Sequence, residues 1–302
     1  MLIGRFLTYL QYEKRYSPHT LTAYQSDLQQ FEIFLNEKFE LAFIDVKATH
    51  IRSFMASLLD DGTSANAVGR KISTLRSFYK YLLREQVLTV SPMTLIRAPK
   101  VPSRLPVFIS DTKIEELLDG KVTSDGEEII YFKEDFCGQR DKLVIELLFG
   151  TGIRLAELLQ LNELSVDDYE GTIKVLGKRN KERIIPVHKP LVNLIRHYLT
   201  LKLGEKFNNK SDSLIVTNKG EAAYPKLIYR IVNEYLNKIS TQDKKSPHVL
   251  RHSFASSLLN RGADLNAIKE LLGHSSLAAT QIYTHNSVER LKSIYKQAHP
   301  KA

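Results

Sequence analysis

Two histidines, two arginines, a lysine and a tyrosine in this 302-residue chain have the types and spacing to act together on a phosphodiester. His248 and Arg251 stand three apart, which places them on one face of a helix that Pro247 would open. A guanidinium at 251 can fork two donors onto two phosphate oxygens, and an imidazole at 248 can donate a hydrogen bond or move a proton. Arg154 comes just after Gly152, in the first turn of another helix. Free backbone N–H groups and the helix dipole add to its charge there, and Glu157, one turn on, can hold it by a salt bridge. Lys178 lies at the tip of a turn with Arg179, Lys181 and Arg183. Neighbouring cations would lower its ordinary pKa of about 10.4 and suit it to protonate a leaving oxygen. His274 follows Gly273 at a helix end, and Tyr283 stands nine residues further on. A phenol with a pKa of about 10 becomes a nucleophile only where cations and a proton acceptor favour the phenolate.

Each piece also has an ordinary reading. His-x-x-Arg occurs as a surface pair, Arg154 with Glu157 as a structural ion pair, and the Lys178 turn as a solvated basic loop. Tyr283 is one of 14 tyrosines, and Tyr198 and Tyr295 are its competitors.

The elements that must position these residues are mostly helical. Phe6, Leu7 and Leu10 begin one apolar stripe. Ser17-Pro18-His19-Thr20 is a helix start, with Ser as cap and Pro in the first turn, and Leu21, Tyr24, Leu28, Phe31 and Leu35 follow at helical spacing. A third helix falls near 47–59. A fourth, over 64–84, carries Val68, Ile72, Leu75, Tyr79 and Leu82 on one face. Four prolines, Pro92, Pro99, Pro102 and Pro106, keep the next stretch extended, either as a spacer or as a basic strap along a phosphate backbone. The domain boundary is expected there: 1–97 as an N-terminal helical domain, 98–107 as linker, 108–302 as a second domain. In the second domain, Ser110 caps a helix and 119–138 reads as a polar, irregular insertion. Leu143–Phe149 reads as a buried helix broken at Gly150-Thr151-Gly152. Thr172–Leu176 and Arg183–Val187 pair as a hairpin. Helices follow at about 189–203, 225–239, 248–260, 264–272, 276–285 and 287–298. The fold class is therefore mainly α with a small β-hairpin.

Hydrophobic residues make up 43% of the chain and charged residues 25%, the balance of a soluble globular protein. No apolar run approaches the roughly 18 residues of a membrane span, and no signal-peptide pattern opens the chain. Cys137 is the only cysteine, which excludes an internal disulfide or a multi-cysteine zinc site and suits a reducing cytoplasm. The net charge of +9 is unevenly spread: residues 1–100 and 247–302 carry +4 each, leaving a nearly neutral centre. Two basic ends fit a protein that grips a polyanion from two sides.

Taken together, the order Arg154, Lys178, His248-x-x-Arg251, Gly273-His274, Tyr283 resembles the tyrosine recombinase (lambda-integrase-like) family. The surrounding words match as well: GTGIRLAELLQL at 150–161, GKRNKERIIPV at 177–187 and HVLRHSFASSLLNRGADLNAIKELLGHSSLAATQIYTH at 248–285. Length and the absence of an extra arm-binding domain look most like the Xer branch. Arg179 stands where the family often has a small glycine, and the 119–138 segment is longer than a minimal Xer protein would need.

The resemblance implies a four-helix core-binding (SAM-like) domain before the catalytic domain. Arg154 and Arg251 would bind the non-bridging oxygens of the scissile phosphate. His248 would assist them or accept the tyrosine proton, and His274 would hydrogen-bond the phosphate. Lys178 would protonate the leaving 5′ oxygen, Tyr283 would attack to leave a 3′-phosphotyrosyl bond, and Glu157 would support Arg154. Neither metal nor ATP is implied. The implied partners are a double-stranded recombination site and a tetramer on two sites, of one chain or with a second recombinase, with a DNA translocase as candidate activator. The C-terminal helix would dock on a neighbour or pack in cis. In the first domain, Thr20, Arg70, Lys71, Thr74 and Arg76 are the candidate DNA contacts, joined by Arg179 and Lys181 in the second. The 64–84 helix is expected to turn Arg70, Thr74 and Ser77 toward the major groove. The competing functions are a mobile-element integrase or invertase, a type IB topoisomerase-like enzyme, and a DNA-binding protein that no longer cuts. Nothing resembling the carboxylate cluster of a metal-dependent nuclease stands out.

Overall fold

The computed structural model describes residues 2–100, 108–122, 128–177, 182–207, 211–242, 244–273 and 295. The chain divides into two compact units, Met1–Arg104 and Leu105–Ala302.

The first unit is built from α1 (Leu2–Tyr12), α2 (Pro18–Phe39), α3 (Ala48–Asp60) and α4 (Ala65–Arg84). Ser17 caps α2 by accepting from the Thr20 N–H, with Pro18 in the first turn, and Ser64 caps α4 by accepting from the Ala67 N–H. Aromatic rings dominate the core. Phe6 meets Phe78 edge-on at 5.3 Å, Phe43 meets Phe78 at 4.9 Å, and Phe31 lies 4.9 Å from Phe54. Met93 and Ile96 are buried in the same cluster, so the chain stays attached to this unit past the end of α4.

One charge lies inside this apolar bundle. Asp27 on α2 is 1% exposed and accepts from Lys71 Nζ at 2.9 Å, from Thr74 Oγ1 at 2.9 Å and from Arg70, all on α4. A buried carboxylate is tolerable only when its oxygens are matched in this way. The expected groove-facing row on α4 is accordingly different. Thr74 is 1% exposed and points inward to Asp27, Lys71 is paired with Asp27, and Arg76 donates to the Ile96 carbonyl at 3.1 Å. The apolar face of α4 is wide enough, through Phe78 and Tyr81, to take Thr74 with it.

The second unit centres on α6 (Phe136–Thr151), in which Leu143, Val144, Ile145, Leu147, Leu148 and Phe149 are fully buried. A helix buried on every side along this run needs cover on every side, and α8 (Lys189–Gly204), α9 (Pro225–Ile239) and α10 (Pro247–Asn260) supply it. The helix α5 (Asp111–Asp119) is tied to α10 through Ser257 Oγ and Asp111 Oδ2 at 2.6 Å. The same unit holds two short helices, α7 (Leu155–Gln160) and α11 (Leu265–Leu272).

The segment expected to be irregular is partly ordered. Its β1 (Lys121–Val122) pairs antiparallel with β2 (Glu128–Ile129), and Phe132 stacks on Tyr235 at 4.2 Å. Its end already belongs to α6, capped by Asp135 on the Gly138 N–H. The expected hairpin has a third strand: β3 (Val166–Asp167), β4 (Thr172–Leu176) and β5 (Glu182–Pro186) form an antiparallel sheet, with Ile173 opposite Ile185. The expected helices at 276–285 and 287–298 lie outside the described residues, apart from Tyr295.

Replacing Asp27 by Asn removes the charge that holds Arg70, Lys71 and Thr74 to α2. The change is expected to lower the stability of the first unit by about 2 kcal/mol, the scale of hydrogen bonds to a charged group. A fall in the denaturant midpoint at unchanged m-value would record it.

Candidate active site

Arg154, Glu157, Arg183 and Arg251 come together at the junction of α6, α7, β5 and the C-terminus of α11. Arg154 is the N-cap of α7 rather than a residue of its first turn, with extended backbone. Its guanidinium bonds Glu157 Oε1 at 2.7 Å, and its own backbone N–H bonds Glu157 Oε2 at 2.7 Å. Arg183 reaches the same carboxylate from β5, with Nη1 on Oε1 at 2.8 Å and Nη2 on Oε2 at 2.9 Å. Arg251 comes from α10 and donates to the Gly152 carbonyl and, at 2.7 Å, to the Leu272 carbonyl.

The end of α11 binds all three arginines. Arg183 Nε donates to Leu271 O at 2.9 Å, Arg251 Nη2 to Leu272 O, and Arg154 Nη2 to Gly273 O at 2.9 Å. The last carbonyls of a helix have no partner within it and form its negative end. Three consecutive ones here each accept from a different guanidinium. Two left-handed residues make this approach possible. Gly152 caps α6 at φ +61°, where a Cβ would lie 2.4 Å from Phe254 Cδ1, and Gly273 caps α11 at φ +63°, where a Cβ would lie 3.1 Å from Arg183 Nη1.

Three guanidiniums against one carboxylate leave a local charge of +2. Burial alone would push the Glu157 acid up, but the Arg183 pair and the Arg154 N–H outweigh it and hold the acid down at about 2. Burial lowers Arg251 to about 10, helped by the charges of Arg154 and Arg183, with Glu157 pulling the other way. It still carries its proton at neutral pH. Arg183, Glu157 and Arg251 are buried, whereas the Arg154 side chain is 36% exposed and forms the open face of the cluster.

His248 sits exposed on the first turn of α10, one turn before Arg251. Lys178, Arg179, Lys181, His274 and Tyr283 lie outside the described residues. The two competing tyrosines have other duties. Tyr198 is fully buried in the core, and Tyr295 is 3% exposed with its hydroxyl on Gly150 O at 2.7 Å. Burial pushes both phenols up, away from the phenolate. In the first unit, the Thr20 hydroxyl lies 2.9 Å from Ser17 Oγ within the α2 cap, and Arg70 remains half exposed beside Asp27.

Arg183, expected as the first residue of a strand beside a basic turn and not as a site residue, lies at the centre of the cluster. The signal for it is strand alternation. Arg183 stands two residues before the buried Ile185, so both point to the same inner face of β5.

The lowered pKa of Glu157 fixes a pH signature. Its carboxylate contributes stability fully above its ordinary value of 4.5 and loses it as pH falls toward about 2. Replacing Glu157 by Gln is expected to cost about 3 kcal/mol at neutral pH. The difference from wild type should shrink as pH drops through that window in a denaturation series. A constant difference at every pH would be inconsistent with this assignment.

The sequence matches the phage integrase family over residues 124–290 and the SAM-like N-terminal domain of phage integrases over residues 3–86. It is 38% identical to a tyrosine recombinase XerC of Chlorobaculum parvum, over 98% of this chain and 94% of that one. It is 39% identical to a tyrosine recombinase XerC of Listeria innocua, over 99% and 97%. In fold it is similar to a XerH site-specific recombinase bound to palindromic difH substrate in a post-cleavage complex (TM-score 0.72, 22% identity, 97% of this chain and 93% of that one). It is also similar in fold to a lambda integrase dimer bound to a COC′ core site (TM-score 0.66, 18% identity, 93% and 98%). With an arginine cluster at the junction of the matched helices and sheet, and relatives of this identity along nearly its whole length, the chain belongs to the phage integrase family and is a tyrosine recombinase.

Proposed function

We propose that this chain cuts and rejoins double-stranded DNA at a specific site through a 3′-phosphotyrosyl intermediate, in the manner of the Xer recombinases. The observation that carries the chemistry is the +2 arginine cluster anchored on Glu157 and on the end of α11. A phosphodiester has one negative charge and gains a second as it becomes a phosphorane, so fixed cations favour the transition state over the ground state.

In this reading Arg154 and Arg251 bind the non-bridging oxygens, and Glu157 orients Arg154. His248, exposed on the same helix as Arg251, assists them or accepts the tyrosine proton. His274 hydrogen-bonds the phosphate, Lys178 gives its proton to the leaving 5′ oxygen, and Tyr283 is the nucleophile; these three assignments rest on the family motif. The burial of Tyr198 and Tyr295 supports Tyr283 as the attacking group. Attack breaks the P–O5′ bond and forms a tyrosyl ester, which keeps the energy of the diester, so resealing needs neither ATP nor a metal. The free 5′-hydroxyl of a partner strand reverses the attack and forms a Holliday junction.

The Xer-type role, chromosome dimer resolution by a tetramer on two sites in the cytoplasm, is supported by the XerC relatives. The tetramer consists of one chain or pairs it with a second recombinase, and a DNA translocase is the candidate activator. We place residues 1–97 as the core-binding domain, 98–107 as the linker and 108–302 as the catalytic domain. Within the first domain, Arg70, Arg76 and Thr20 remain the proposed DNA-facing set, and Lys71 leaves it because its ammonium is held on the buried Asp27. The half-exposed Arg70 is the foremost phosphate contact, and Thr74 leaves the set because it is buried. Arg179 and Lys181 are the proposed contacts from the catalytic domain.

The test is a nicked suicide substrate carrying the protein's own site, run on a denaturing gel without added metal. Wild type should give a covalent protein–DNA band that Tyr283→Phe abolishes. Arg154→Ala and Arg251→Ala should each slow its formation by about 100- to 1000-fold, the scale of one lost oxyanion donor. Binding should persist and weaken steeply with salt. A band that persists with Tyr283→Phe would move the nucleophile to another tyrosine.

A further inference from the structure

Arg183 carries chemistry that the phosphate-binding set does not include. It is 5% exposed, and its bonds cover both oxygens of Glu157 and the Leu271 carbonyl. Glu157 in turn bonds the side chain and the backbone N–H of Arg154, and the two carbonyls after Leu271 accept from Arg251 and Arg154. Of the two partners of Arg183, Glu157 bonds Arg154 directly, and Leu271 immediately precedes the two residues whose carbonyls hold Arg251 and Arg154. A planar fork with donors on three sides can hold a carboxylate edge and a carbonyl at once, whereas a lysine ammonium cannot match both in one plane.

We propose that Arg183 is a positioning residue for strand cleavage: by fixing the Glu157 carboxylate and the end of α11 together, it sets where Arg154 and Arg251 present their remaining donors to the scissile phosphate. The proposal rests on the reading that those two arginines hold the phosphate. Arg183 itself touches no substrate. Its remoteness from solvent and its three bonds to Glu157 and Leu271 distinguish it from Arg154, whose side chain is partly open.

A purely structural arginine would slow cleavage equally at all pH values, if at all. A positioning arginine that acts through Glu157 leaves a different trace. Around that carboxylate stand Arg154, Arg183 and the more distant Arg251, and burial opposes all three. Without Arg183, burial weighs more heavily and the acid shifts upward. Cleavage then depends on keeping Glu157 ionised in a range where wild type does not.

The experiment is single-turnover cleavage of the suicide substrate by full-length wild type, Arg183→Met and Arg183→Lys, across acidic to neutral pH. Site affinity and thermal melting are measured alongside. Both variants are expected to bind DNA as wild type does and to cleave about 100-fold more slowly, the consequence of a misplacement of about 1 Å. Their rate should also fall off at a higher pH on the acid side, with Arg183→Met displaced further than Arg183→Lys. Wild-type rates in either variant, or an equal slowing at every pH, would overturn the proposal. If Arg183→Met does not fold, Arg183→Lys decides by the same readings. Arg154→Ala and Arg251→Ala on the same substrate separate the two levels. Loss of cleavage in these alone, with Arg183→Lys unaffected, sinks only the role of Arg183. Wild-type rates in them remove the phosphate reading and the positioning role with it.

Discussion

The buried carboxylate of Glu157 is the constraint around which the second unit arranges its charges, because it is shared by two guanidiniums that come from different elements. Arg154 enters from the start of α7 and Arg183 from β5, and Arg183 could not be buried, nor Arg154 aimed in this way, without an anion between them. Like charges held close together repel, and the pKa of Arg251, lowered chiefly by burial, is lowered further by the charges of Arg154 and Arg183. The three negative carbonyls at the end of α11 offset what Glu157 alone does not. The site is thus a balance struck in favour of positive charge, held by the fold in advance of any ligand, which is the arrangement electrostatic catalysis requires.

The first unit solves a smaller version of the same problem. Asp27 is buried in the bundle and is matched by Arg70, Lys71 and Thr74 from one face of α4. The pairing ties α2 to α4 at a defined register, which apolar packing of phenylalanines alone specifies less sharply. It also holds the inner end of Arg70 while leaving half of that side chain in water. A buried acid here serves to present a basic group outward, as Glu157 does for Arg154.

Much of this was legible in the sequence, for identifiable reasons. Helix starts at Ser17-Pro18 and Ser64 followed from cap chemistry, and the fully buried α6 was visible in part as an apolar run. The pairing of Arg154 with Glu157 followed from a spacing of three. What could not be read were partners distant in the chain. Arg183 was legible as the start of a strand beside a basic turn but not as the partner of Glu157, and Thr74 looked like a polar residue facing a groove until Asp27 supplied its reason for burial. The carbonyls of Leu271, Leu272 and Gly273 have no sequence signature at all, because every residue has a carbonyl. The order expected to be missing from 119–138 arose from a two-residue strand pairing, too short to leave a periodic pattern.

The bonds that assemble the arginines span long stretches of chain: 119 residues separate Arg154 from Gly273, and 88 separate Arg183 from Leu271. Contacts of such separation carry a large loop-closure cost and form late in folding. During synthesis, Arg154 and Arg183 leave the ribosome long before the helix whose end they need. A partly made chain therefore has its cations but no cluster, and a fragment cut short before α11 could hold DNA loosely without organising its phosphates for attack. For an enzyme that breaks and rejoins DNA strands, competence that arrives only with the final helices keeps unfinished copies from cutting.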